Sequence, residues 1–259
     1  MKLRSTFLLT AFFAVVFCPV LFAATHEEAV AKNNQGYVRL KSGDVDGALS
    51  DFGEAVTMDP SFAVAYYNRA LAQREKGNLD GELADYDKAI ALDSAYKEAY
   101  YNRALAREEK GDFNGSIADS TKVIEVDPAN VNAYYNRGLA KGENGDAAGA
   151  IEDSSRVISL DPKFKMAYYI RGLARVKSGD AAGAIEDNSQ AIELDPSYAD
   201  AYFNRGGLYW QQKNYALTIS DLEKAASLNS SFKDQVAPVV AQAKEFLAGT
   251  AVPSEAGDS

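Results

Sequence analysis

Cysteine and histidine are almost absent from the chain: one of each in 259 residues, Cys18 and His26, both near the N-terminus. The body therefore has no material for disulfide staples, a Cys/His zinc site, a thiol nucleophile or a histidine-centred triad. Positive charge is in deficit, with 27 Lys and Arg against 37 Asp and Glu and a net charge of −10. An acidic surface repels phosphate backbones, which speaks against general nucleic-acid binding. Proline is sparse, 7 residues in all, while 47% of the chain is apolar. That composition is a packed fold's rather than a linker's.

The one long apolar run opens the chain. Residues 1–23, MKLRSTFLLTAFFAVVFCPVLFA, place Lys2 and Arg4 ahead of an apolar stretch from Phe7 to Phe22. This is the layout of a secretory signal peptide, with cleavage expected after Ala23. The alternative is an uncleaved membrane anchor, because the stretch is long for a signal. Phe17 and Pro19 around Cys18 speak against a lipoprotein. The chain is thus expected to be exported, periplasmic or secreted, or anchored if the segment is retained. Cleavage removes the only cysteine, which suits an oxidising compartment.

The rest is one unit written six times. Asn34, Asn68, Asn102, Asn136 and Asn204 share a register of 34 residues, with Ile170 in the remaining slot. Arg69, Arg103, Arg137, Arg171 and Arg205 follow one position later. Asp51, Asp85, Asp119, Asp153, Asp187 and Asp221 form a third ladder, and Asp59, Asp93, Asp127, Asp161 and Asp195 a fourth. The units tile 29–62, 63–96, 97–130, 131–164, 165–198 and 199–232 without insertion, and a repeat at one fixed period signifies a stacked architecture.

Each unit reads as two helices. In 131–164 the spacing predicts a first helix over Val131–Glu143, a break at Asn144-Gly145-Asp146, and a second helix stopped by Asp161-Pro162. Gly145 tolerates a left-handed C-cap and Asp146 is placed to cap the next N-terminus. Neither helix hides its apolar stripe alone, so stability must come from stacking. Residues 233–249 read as a closing amphipathic helix, although Pro238 is expected to shorten or kink it. Residues 24–28 read as a lead-in and 250–259 as a disordered tail.

The pattern A-Y-Y-N-R-G…G-D…A-I-x-D…A-I-x-L-D-P resembles the tetratricopeptide repeat (TPR) family. Tyr66, Tyr100, Tyr134, Tyr168 and Tyr202 stand where the family often has Trp, and Ala70, Ala104, Gly138, Gly172 and Gly206 fill its small-residue site. The sequence departs from the pattern at Glu82 and Thr218, where a small Ala is usual. It departs again at Ser120, Ser154 and Asn188, where an aromatic is expected in the second helix. The resemblance implies an all-α, right-handed superhelical α-solenoid of six helix-turn-helix repeats with a C-terminal capping helix.

By the same resemblance, the first helices line a concave groove. The Asn ladder and the residues one position earlier, Asn33, Tyr67, Tyr101, Tyr135, Tyr169 and Phe203, then face that groove. An Asn amide offers an acceptor and two donors, enough to pair with both backbone groups of an extended peptide. The aromatic rings add apolar surface at little rotamer cost. The alternative is that Asn bonds to the neighbouring repeat and the rings pack between helices. The Arg and Asp ladders read as structural ion pairs, within or between repeats.

Lys41, Arg74 and Lys177 are too scattered to clamp a C-terminal carboxylate, and Glu75, Glu109 and Glu143, which give part of the implied groove rim negative character, favour a neutral or basic partner. Asp44-Val45-Asp46-Gly47 is not a calcium loop, because Leu49 and Ala55 occupy the positions that require Gly and Glu. The resulting expectation is a non-catalytic scaffold without cofactor or metal that binds a protein or peptide. It touches a membrane only if its N-terminal segment is retained. The competing reading is a structural subunit of an envelope assembly, packed through repeat ends or the convex face.

Overall fold

The computed structural model describes residues 19–249. The expected signal peptide up to residue 18 and the expected tail at 250–259 lie outside the described residues. Among the described residues every regular element is helical, and no helix is long and apolar enough to cross a membrane.

The chain forms two compact units, one reaching to Asp93 and one starting at Ser94. The first holds α1 (Pro19–Lys41), α2 (Val45–Met58), α3 (Ala63–Glu75) and α4 (Leu79–Leu92). The second holds α5 (Lys97–Glu109), α6 (Phe113–Val126), α7 (Val131–Glu143), α8 (Ala147–Leu160), α9 (Lys165–Lys177) and α10 (Ala181–Leu194). It continues with α11 (Ala199–Gln211), α12 (Tyr215–Leu228) and α13 (Lys233–Leu247), the last preceded by a 3-10 turn at Ser230–Phe232. Within each unit, every helix packs on the ones before and after it. Helix α1 extends through the expected lead-in at 24–28, and α13 runs through Pro238.

Local chemistry sets these boundaries. The turn within each of the first five hairpins carries glycine in the left-handed region, at Gly43, Gly77, Gly111, Gly145 and Gly179. Around Gly145 the Asp146 amide donates to Lys141 O (2.8 Å) and the Gly145 amide to Gly142 O (3.3 Å), the paired bonds that close a helix C-terminus. Asp146 then caps α8, its carboxylate accepting from the Gly149 amide at 2.8 Å. Asp44, Asn78, Asp112, Asp180 and Asn214 cap the other second helices in the same way. In the last hairpin the glycine slot holds Lys213, at φ 59°.

The core of the first unit is aromatic. Phe52 and Tyr86 are fully buried, and a Cβ on Gly36 would come within 2.8 Å of the Phe52 ring. In the second unit that register carries Ser120, Ser154 and Asn188, all buried, and the helices close over small residues instead. A Cβ on Gly138 would stand 3.2 Å from the Asp153 Cβ, so this crossing depends on the missing side chain. At the end of the unit, Leu222, Val236 and Val240 rebuild an aliphatic cluster with Phe203 and Phe232 packed against it. Helix α13 thereby covers the apolar face of α12.

Candidate functional site

The two charged ladders meet inside each hairpin. Arg69 donates through Nε and Nη2 to Asp85 at 2.8 and 2.6 Å, and Arg103, Arg137, Arg171 and Arg205 fork in the same way onto Asp119, Asp153, Asp187 and Asp221. The pairing is therefore within the repeat. Nη1 reaches back to a hydroxyl of the preceding repeat: Arg137 to Thr121 (3.2 Å), Arg171 to Ser155 (3.1 Å) and Arg205 to Ser189 (2.9 Å). Each guanidinium also lies over the ring three residues earlier, at Tyr66, Tyr100, Tyr134, Tyr168 and Tyr202. No Arg of this ladder is left to receive an anionic ligand. Asp51 takes Arg39 instead (3.0 Å), because Gln35 occupies the first repeat's Arg slot.

The fourth ladder has a role that its spacing does not show. Asp59, Asp161 and Asp195 accept from backbone amides two residues on, at Ser61, Lys163 and Ser197, and so close the turn between repeats. Asp59 also meets His26 at 2.5 Å. Burial pushes the Asp59 carboxyl up, but bonds from Ser61 and His26 outweigh it and hold it below the usual range. Asp195 is held down to about 2 by Lys165 and by the Ser197 hydroxyl and amide.

The five asparagines are not equivalent. Asn34 is exposed. Asn68 is buried and donates to Asn33 Oδ1 on the neighbouring first helix at 2.8 Å, so this amide serves packing inside the first unit. Asn102 is half-buried and donates to Glu98 O at 3.0 Å. Asn136 is buried and Asn204 half-buried, and in both the Nδ2 atom is sealed from solvent without a hydrogen-bond partner. Ile170 is buried in the slot that breaks the row.

The preceding aromatic ladder is largely engaged in ring pairs. Tyr67 tilts on Tyr86 (5.9 Å), Tyr135 on Phe164 and Tyr169 on Tyr198 (both 5.2 Å), and Phe203 stacks on Phe232 (4.6 Å). Burial raises the Tyr135 and Tyr169 hydroxyls above their ordinary range, and at Tyr169 the Asn204 amide opposes that shift. Close by, Glu108 has one carboxylate oxygen buried without a hydrogen bond, and burial together with the Glu143 charge raises its pKa.

Two cavities in the second unit adjoin these ladders. One, of about 220 Å³, is lined by Tyr101 and Asn102 together with Glu98, Asn130 and Asn132. The other, of about 290 Å³, lies among α9 to α13 and is lined by Phe203 and Asn204 together with Leu173, Asn188 and Trp210. Glu75, Glu109 and Glu143 are exposed at the ends of their helices. Of the scattered cations, Lys41 lies over the Tyr37 ring, Lys177 donates to Gly142 O, and Arg74 is exposed.

Comparison with known families matches a TPR repeat at residues 106–145 and 172–213, and a tetratricopeptide repeat at 33–97, 131–164 and 199–232. Among solved structures, the MamA protein is 25% identical over 67% of this chain and 95% of its own, with a TM-score of 0.63. YrrB, described as a TPR protein with an unusual peptide-binding site, is 24% identical over 74% and 97%, with a TM-score of 0.62. A tetratricopeptide repeat protein from Parabacteroides merdae is 19% identical over 90% and 95%, with a TM-score of 0.68. No curated protein matches the chain by sequence.

Proposed function

The chain belongs to the tetratricopeptide repeat family, and from that premise we propose that it is an exported, non-catalytic scaffold whose first helices bind a segment of another protein. The family's proteins are protein-interaction scaffolds. The observation that carries the reading here is the pairing of ladder residues with open space. Tyr101 with Asn102, and Phe203 with Asn204, each line a cavity of the second unit. An amide beside an aromatic ring can hold a backbone group while the ring covers a side chain. The exposed carboxylates of Glu109 and Glu143, and the raised pKa of Glu108, favour a neutral or basic segment over an acidic one. A few such bonds at a net ~0.5–1.5 kcal/mol each, offset by ordering of the segment, give affinity near micromolar, roughly −8 kcal/mol.

The test is site-specific photo-crosslinking in cells that make the full chain. A crosslinker at Asn132, which lines the Asn102 cavity, is expected to capture a partner, and Asn102→Ala is expected to abolish the product at unchanged helicity. A crosslinker at Glu152, exposed on the second helix α8, is the control. A product from position 152 but not 132 would move the interface to the second helices and sink the groove reading. Mass spectrometry of the same material reads export: a mature N-terminus at Ala24 is expected, and an intact Met1 in a membrane fraction would replace the signal peptide with an anchor.

A further inference from the structure

The larger cavity of the second unit sits where the repeat breaks its own pattern. Leu71, Leu105, Leu139 and Leu173 form a ladder at the 34-residue period, and its next member is Gly207. A Cβ built on Gly207 meets nothing within 4 Å, so the glycine leaves open space here and not a tight crossing. Gly207 and the last leucine of the ladder, Leu173, both line the cavity of about 290 Å³. Four of the other repeats thus place an aliphatic side chain in this register, and the last repeat leaves it unfilled.

What the cavity offers an occupant is carbon. Val176, Leu208, Leu222 and Val236 form its walls with Phe203 and the ring of Trp210. Its two asparagines are engaged elsewhere. Asn188 Nδ2 donates to Ala184 O at 2.8 Å, and Asn188 Oδ1 is sealed from solvent. Asn204 Nδ2 is also sealed, beside the Tyr169 hydroxyl on which its amide acts. A charged or hydrogen-bonding tip would therefore be desolvated in the opening without a partner. An aliphatic side chain has no such cost and removes apolar surface from water.

A row of neighbours leads from the cavity to a set of carboxylates. Asn204 adjoins Tyr169, Tyr169 acts on Tyr135, and Tyr135 feels the charge of Glu108. Glu143 is near enough to Glu108 to add to the effect of burial in raising its pKa, so two carboxylates already repel each other there. Glu109 and Glu143 are exposed at the ends of α5 and α7. On α9 the same register holds Lys177, whose ammonium is taken up by Gly142 O at 2.8 Å. A cationic segment laid along this row is attracted to it and an acidic one repelled.

We propose that the cavity among α9 to α13 anchors one aliphatic side chain of a basic segment of a partner protein. The side chain lodges over Gly207, and Lys or Arg residues of the same segment face Glu108, Glu109 and Glu143. The apolar walls select the anchor, and the carboxylates select the charge of the chain that carries it. A volume just below the range of small-molecule pockets suits a single side chain. A fatty acid or an acidic peptide would bring the wrong sign of charge to the row. The inference deepens the reading of the chain as a scaffold and rests on it.

The test uses synthetic peptides in place of a natural partner. One carries two lysines, a short glycine spacer and a terminal leucinamide; a second has alanine for leucine, and a third glutamates for the lysines. Each is titrated into the full chain while the indole N–H resonance of Trp210, the only tryptophan in the sequence, is followed. The lysine–leucine peptide is expected to shift that resonance saturably. It is expected to bind about ten-fold tighter than the alanine peptide and, at low salt, about ten-fold tighter than the glutamate peptide. Gly207→Leu, the residue of four other repeats, is expected to bring the leucine and alanine peptides to similar affinity with helicity intact. Glu109→Gln with Glu143→Gln is expected to remove the preference for lysine over glutamate and to keep that for leucine over alanine. Equal affinity of the wild type for the leucine and alanine peptides, or for the lysine and glutamate peptides, would overturn the proposal. So would no response to any peptide, or an unaltered leucine preference in Gly207→Leu. A partner crosslinked at Asn132 without any leucine preference would sink the anchor and leave the scaffold reading. A leucine preference without a crosslinked partner would tell against the scaffold reading and leave the selectivity of the cavity standing.

Discussion

A carboxylate that gathers two cations in a protein interior is worth little as a pair and much as a member. Asp153 has a side chain 1% exposed and holds Arg137 by two bonds and Lys141 at 2.8 Å. Removing it leaves two cations facing a dry crossing, so Asp153→Ala is expected to destabilise by about 3–5 kcal/mol in urea unfolding. Replacing the whole cluster with apolar residues, as in Arg137→Met and Lys141→Met with Asp153→Leu, is expected to cost much less. Asp195 makes the opposite kind of bond, half-buried at the turn between repeats and sensitive to pH. Its carboxyl is held down to about 2, below the ~3.9 of an unfolded chain. Its contribution is therefore present above about pH 4 and lost as pH falls toward 2. The gap in urea midpoint between wild type and Asp195→Asn is expected at pH 7 and should close near pH 2; a gap that persisted there would refute the assignment.

Helix ends are where the sequence was easiest to read. Asn144-Gly145-Asp146 prescribed a break and a cap, and α7 and α8 end and begin on either side of it. Lys213 shows the same rule by exception. It holds φ 59° where five other hairpins use glycine, and a left-handed side chain costs about 1–2 kcal/mol. Lys213→Gly is expected to stabilise by about 0.5–1 kcal/mol after glycine's own entropy is deducted, and Gly145→Ala to destabilise by about 1 kcal/mol, both checked by thermal melting. What resisted reading were positions whose role depends on a neighbour one period away. The Asn ladder looked uniform, yet Asn68 is claimed by Asn33, because the first repeat puts an amide where the others put a ring. The Arg–Asp spacing of 16 residues fixed the partners only once the hairpin geometry was known.

At the scale of the molecule, the two units differ in how their interiors are filled. The first closes around Phe52 and Tyr86, and the second around small residues and buried Arg-fed carboxylates until the aliphatic end at α13. Burial of that end cluster by α13 implies that a chain stopped at residue 232 exposes Leu222 and loses stability, read as a lower melting temperature and a tendency to associate.

Because α6, α8 and α10 each offer a hydroxyl to the arginine of the helix that follows, and each repeats the same kind of cap and the same carboxylate within its own hairpin, the joints on either side of residues 131–164 are alike. A gene coding for such joints can lose or gain that segment by recombination between its own like stretches and still encode a continuous fold. Length then becomes a trait that varies in whole repeats, while the cavity of α9 to α13, built from residues that occur once, is inherited as a single piece.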